Sequence, residues 1–148
     1  MKKIERISGI IFIVGIILKY LLIPGAGFLL TISGLVLASI YFYLGIFLFL
    51  DIKFKDWFRR ESYQNISPKR IFGAIITGVA LSTVMVGIVF MFQYLPGWGI
   101  MIIVGGSPLI IILVISIIKF LQTKSNFYTG LIIRIALATI LALLHLIF

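Results

Sequence analysis

The chain has 148 residues, 62% hydrophobic and 11% charged, against roughly 45–50% and about 25% in an ordinary soluble domain, so a soluble fold has nowhere to hide its apolar surface. Its formal charge of +9 sits in short segments between apolar runs, which argues against a nucleic-acid face and for juxtamembrane contact with anionic lipid. The absence of cysteine excludes disulfides, thiolate metal sites and cysteine acylation.

Met1-Lys2-Lys3 opens the chain ahead of an apolar run from Ile7. No A-x-A-like cleavage site follows, so this run is expected to be retained as a first span, residues 7–23, ending at Pro24. Pro24-Gly25-Ala26-Gly27 leads into a second span at 28–50. A polar stretch, 51–69, mixes Phe54, Trp57, Phe58 and Tyr63 with Lys53, Lys55, Arg59 and Arg60; it reads as a loop lying on the membrane surface or meeting a partner protein. Ser67-Pro68 has the form of an N-cap followed by proline in the first helical position, and opens a third span at 70–95. Pro96-Gly97-Trp98-Gly99 joins it to a fourth at 100–121, and 122–126 joins that to a fifth at 127–148. Each run is apolar throughout rather than alternating, as a membrane strand would be, so the expected fold is an all-α membrane protein of five transmembrane helices in a single domain. In the fourth span Gly105-Gly106-Ser107-Pro108 is compatible with either a kink or a local break that bares carbonyl groups.

Lysine and arginine set the expected orientation. Lys2, Lys3, Arg6, Lys53, Lys55, Arg59, Arg60, Lys69, Arg70, Lys119 and Lys124 all fall on one side of the alternation. By the positive-inside rule that side is cytoplasmic, which places the N-terminus inside, the 51–69 loop cytoplasmic and the C-terminus outside a bacterial inner membrane.

A shift of 72 residues superimposes Gly15 on Gly87, Pro24 on Pro96, Gly25 on Gly97, Gly27 on Gly99 and Gly34 on Gly106. Apolar matches mean little in lipid, but spaced glycine and proline do not coincide cheaply. The reading is two tandem helical hairpins of one parallel repeat plus an unpaired C-terminal helix. Each PGxG is expected to form a tight turn, because proline cannot continue the helix regularly and glycine tolerates positive φ.

Lys19-x4-Pro24-Gly25-Ala26-Gly27, with Gly34 beyond it, resembles the hairpin of GldL, the membrane subunit of the gliding-motility and type IX secretion motor; Gln93 and Pro96-Gly97 look like a variant of the same pattern. The stretch from Phe54-Lys55-Asp56 through Glu61-Ser62-Tyr63 to Ile71-Phe72-Gly73-Ala74 is similar to a group of small bacterial multi-pass membrane proteins labelled GldL-related, which carry no assigned activity. The motor subunit's pattern implies an intramembrane acid near Ala38. This chain has none between Phe28 and Leu50, so of the family's intramembrane charges only Lys19 carries over.

Three residues inside the spans stand out. Lys19 is about one turn from the outer end of its span; it either snorkels or meets another helix. Arg134 stands on the order of 10 Å into the fifth span, sharing a face with Gly130, Ala138, Ala142 and His145. That small-residue face is expected to turn inward, with snorkelling as the alternative for Arg134. His145 is either interfacial or part of a proton relay. Ala74-x3-Gly78-x3-Ser82 and Gly34-x3-Ala38 form small-residue ridges for helix packing, within the chain or between copies.

The acids Glu5, Asp51, Asp56 and Glu61 lie at one border and the histidine at the other, so convergent catalytic groups are not expected. No cofactor or metal site is expected either. The expected role is an accessory or scaffold subunit that packs against other membrane proteins or copies of itself. A small channel or transporter for an anionic solute is the alternative, suggested by Arg134 and Lys19.

Overall fold

The computed structural model describes residues 2–50, 52, 64 and 66–147. The described residues form five helices, α1 (Lys2–Tyr20), α2 (Ala26–Leu50), α3 (Pro68–Phe92), α4 (Trp98–Thr123) and α5 (Asn126–Ile147), and no strand. The polar stretch of aromatic and basic residues lies almost entirely outside the described residues.

Three helices, α2, α3 and α4, are long and apolar enough to cross a membrane. At about 1.5 Å rise per residue their 25 or 26 residues reach roughly 38 Å, more than the roughly 30 Å of a hydrocarbon core. α5 contributes an apolar stretch, Phe127–Leu143, among the described residues. α1 carries Lys2, Lys3, Glu5 and Arg6 in its opening turns and Lys19 in its last.

Both tight connections are built in one way, and their geometry explains why α1 and α3 stop short of the prolines. Leu22 and Tyr94 have φ of 56° and 57°. Ile23 N–H donates to the Leu18 carbonyl and Leu22 N–H to Lys19; 72 residues on, Leu95 N–H donates to Phe90 and Tyr94 N–H to Met91. This is a Schellman cap with a non-glycine residue in the left-handed position. Pro24 and Pro96 follow one residue after the closing bond. Gly25 and Gly97 then turn the chain at φ of 86° and 88°, and their carbonyls accept the first bonds of the next helix, from Leu29 and Met101 N–H.

The entry to α3 differs in detail from the sequence expectation. Ser67 is the N-cap residue and Pro68 the first helical residue, but the Ser67 side chain makes no capping bond. The cap carbonyl instead accepts from Arg70 and Ile71 N–H.

α2 and α3 form the centre: α1 lies on α2, α4 on α3, and α5 leans on α4, α3 and α2. Glycine sets how closely they approach. A Cβ on Gly78 would stand 2.6 Å from the Tyr41 carbonyl, and one on Gly45 3.1 Å from Gly78 Cα, so α2 and α3 touch backbone to backbone. Gly34 is a notch filled by Phe12 of α1 and Val89 of α3, and Gly105 seats α4 against the Ala80 carbonyl and Val84 of α3. The small-residue ridges are therefore used within the chain, by the van der Waals contact that drives helix association in lipid. α4 runs unbroken through Gly105-Gly106-Ser107-Pro108. Its outer surface, including Ile103, Ile110, Ile111 and Leu121, is exposed.

Candidate functional site

The inner stripe of α1 runs Glu5, Ser8, Phe12, Ile16, Lys19, at steps of three or four residues that keep one helical face. Phe12 and Ile16 are 1% and 4% exposed. Because this face is buried, the charges at its two ends are carried into the bundle, and each meets a partner from another helix.

At one end Arg134 of α5 grips Glu5 side-on. Its Nε donates to Glu5 Oε1 at 2.6 Å and its Nη2 to Oε2 at 2.7 Å, with side chains 17% and 11% exposed. Arg134 Nη1 donates to the Gly130 carbonyl at 2.9 Å. A Cβ on Gly130 would lie 2.9 Å from that nitrogen, so the glycine one turn before Arg134 makes room for the guanidinium to fold back. Tyr41 of α2 donates its hydroxyl hydrogen to Glu5 Oε1 at 3.2 Å, and the Phe49 ring stands 5.5 Å from the guanidinium carbon. Three helices thus meet at one bidentate pair, the strongest geometry a carboxylate and guanidinium adopt. α1 and α5 are not among the packed helix pairs of the described residues; the ion pair is what bridges them.

The other end is a neutral network with one charge. Gln93, at the C-cap of α3, donates from Nε2 to the Gly27 carbonyl at 2.6 Å and to Thr31 Oγ1 at 2.7 Å. Thr31 in turn donates to the Gly27 carbonyl at 2.8 Å. Lys19 Nζ donates to Gln93 Oε1 at 3.4 Å and stands 6.0 Å from the Tyr94 ring centroid. A Cβ on Gly27 would approach the Gln93 amide to 3.0 Å, so the last glycine of the PGAG turn exists to admit that side chain. No buried side-chain nitrogen or oxygen among the described residues lacks a partner.

Of the residues expected to matter, Lys19 and Arg134 do meet other helices, at opposite ends of the bundle. The side chain of His145 lies outside the described residues, although its backbone is within α5. On α5 the buried face centres on Leu131, Ile135 and Ala138, at 3%, 1% and 4% exposed, with Arg134 at its margin. Pro24, Gly25, Pro96 and Gly97 are exposed turn residues, and Gly99 has open space where a Cβ would go.

Sequence reasoning misses Glu5, Tyr41 and the anchoring role of Gln93. The signal for Glu5 is present: it stands two heptads before Lys19 and on the stripe of Phe12 and Ile16, once the helix is begun at Lys2 rather than at Ile7. Among the described residues no group of three His, Cys, Asp or Glu side chains lies together to hold a metal ion. Nearby on α2, Ile32, Leu35, Val36, Ser39, Ile40, Tyr43 and Leu44 line an open groove of about 500 Å³, an apolar face without convergent polar groups. Comparison with protein-family models, with curated proteins and with solved structures finds no match to this chain.

Proposed function

We propose that this chain is a five-span scaffold or accessory subunit of a bacterial inner membrane, built from two copies of one hairpin plus a clasping fifth helix. The observation that carries the reading is the Glu5–Arg134 pair. An arginine that served a transport path would present its charge to the solute; here both carboxylate oxygens of Glu5 occupy it. Lys19 is likewise turned to Gln93. The polar groups of the bundle bind its helices to one another, and what it offers outward is apolar, above all on α4.

The hairpin repeat is supported by the matched caps at Leu22 and Tyr94, and by two glycine contacts in the same register: Gly15 faces Leu30 and Gly87 faces Ile102. The polar network is not repeated, since the counterparts of Gln93 and Thr31 in the other hairpin are Leu21 and Ile103. The first hairpin's PGAG turn thus holds a specialised site, consistent with its resemblance to the GldL hairpin. The Glu5 side lies inside and the PGxG turns outside in this reading.

Cross-linking in native membranes tests the role. A reproducible partner, or a defined homo-oligomer, is the expected recovery, and a monomer alone would count against it. Reconstituted protein is expected to pass no anion; a flux altered by Arg134→Ala would establish the transporter instead.

A further inference from the structure

The end of the bundle where α1, α3 and α5 begin carries Lys3, Arg6, Lys69, Arg70, Lys119 and Lys124 as exposed side chains. Glu5 is the one acidic residue among those described, and Arg134 and Tyr41 already hold it. The rim therefore has no carboxylate left to balance it among the described residues. Within it Arg70 is set apart by geometry. Its guanidinium carbon lies 5.6 Å from the Phe127 ring centroid and 5.8 Å from that of Tyr128. Those rings meet edge to face at 5.1 Å. An exposed arginine seated on aromatic rings loses conformational freedom in advance of binding, and its planar fork matches two oxygens of a phosphate. No guanidinium N–H of Arg70 has an acceptor among the described residues. Neither α3 nor α5 has an acidic residue in its first turn, so no carboxylate of those turns opposes an anion.

We infer that this rim binds anionic phospholipid, with Arg70 as the fixed contact to a headgroup phosphate and Lys69 and Lys124 adding to the field. The inference rests on reading the helices as membrane spans. It goes beyond general attraction to a charged leaflet, because it assigns one position whose loss costs more than its charge. It also gives the lipid a structural effect: a phosphate on Arg70 would strengthen the seam at which the start of α3 meets the start of α5.

The test uses full-length protein in neutral detergent, with lipid retention followed by native mass spectrometry and unfolding followed by heat. Added phosphatidylglycerol is expected to be retained and to raise the midpoint by roughly 2–4 °C; phosphatidylcholine is not. Arg70→Gln is expected to weaken phosphatidylglycerol retention more than about ten-fold, beyond the roughly five-fold that the loss of one basic charge near a charged surface accounts for. Lys119→Gln removes the same charge from a side chain that, among the described residues, hydrogen-bonds Gln122, and is expected to weaken retention by no more than that charge effect. Arg70→Lys, which keeps the charge and spares the fold if Gln does not, should fall between wild type and Arg70→Gln. Equal losses in Arg70→Gln and Lys119→Gln would overturn the assigned site in favour of a diffuse field. Stabilisation by millimolar inorganic phosphate alone would overturn the lipid as its ligand. Extraction of the chain from native membranes by alkaline carbonate would instead sink the membrane reading itself.

Discussion

Glu5 and Arg134 stand 129 positions apart in the chain and face each other through two hydrogen bonds, at 2.6 and 2.7 Å. The pair closes the bundle between helices that otherwise barely meet. Removing one partner of a buried ion pair strands the other charge, at a cost of roughly 3–5 kcal/mol. Glu5→Gln and Arg134→Gln should each destabilise the protein by about that amount, measured by denaturant titration in mixed micelles. The exchanged pair, Glu5→Arg with Arg134→Glu, should recover part of the loss. Additive losses in a double variant would show that the two residues do not act together. Tyr41→Phe removes only the hydroxyl bond and should cost about 1 kcal/mol.

The glycines divide into those that touch and those that do not. Gly78→Ala would drive a methyl group into the Tyr41 carbonyl, 2.6 Å away on a backbone that cannot turn aside. The helices must part, and a loss of roughly 1–3 kcal/mol is expected. Gly106 has open space around it, so Gly106→Ala should be neutral, or stabilising by up to about 1 kcal/mol through helix propensity. A comparison of the two by thermal unfolding separates contact from propensity.

How much of this was legible in the chain itself differs by feature. The positions of the helices follow from uninterrupted apolar runs with Pro-Gly turns at two of their joints, and the ridge that carries Gly78 marks the face of α3 that packs, whereas Gly45, which it meets on α2, stands outside the Gly34–Ala38 ridge. The helix ends do not, because Leu22 and Tyr94 take a left-handed conformation that leucine and tyrosine seldom adopt, so α1 and α3 end before hydropathy does. Arg134 stands out at once, yet its partner hides. Hydropathy begins the first span at Ile7 and leaves Glu5 to the border, whereas helical geometry begins at Lys2 and brings Glu5 round to the buried stripe. Gln93 hides for another reason: an amide at the end of an apolar run shows its value only once Gly27 and Thr31 are known to lie opposite.

Gly97→Ala probes the turn without touching any neighbour, since nothing lies within 4 Å of a Cβ there. The cost would come from the φ of 88° alone, and about 1–2 kcal/mol is expected. Gly99→Ala, two residues on, has equal space and ordinary helical backbone, and should cost nothing. Equal stability of the two variants in thermal unfolding would mean that the turn is not held in that conformation.

Gln93 offers the sharpest contrast between charge and hydrogen bonding. Glu at this position would place a carboxylate beside Lys19, which counting charges alone would favour. The amide, however, donates to both the Gly27 carbonyl and Thr31 Oγ1, and a carboxylate can donate to neither. It would instead set its own negative oxygen against the Gly27 carbonyl at the 2.6 Å now bridged by a hydrogen. Lys19, at 3.4 Å from Oε1, is too loosely placed to offset that. Gln93→Glu is therefore expected to destabilise the protein by about 2 kcal/mol or more, and Gln93→Met, which fills similar space without the repulsion, by less. Should Gln93→Glu prove the more stable variant in thermal unfolding, the Lys19 charge rather than the amide network would be what holds α1 to α3 at this end.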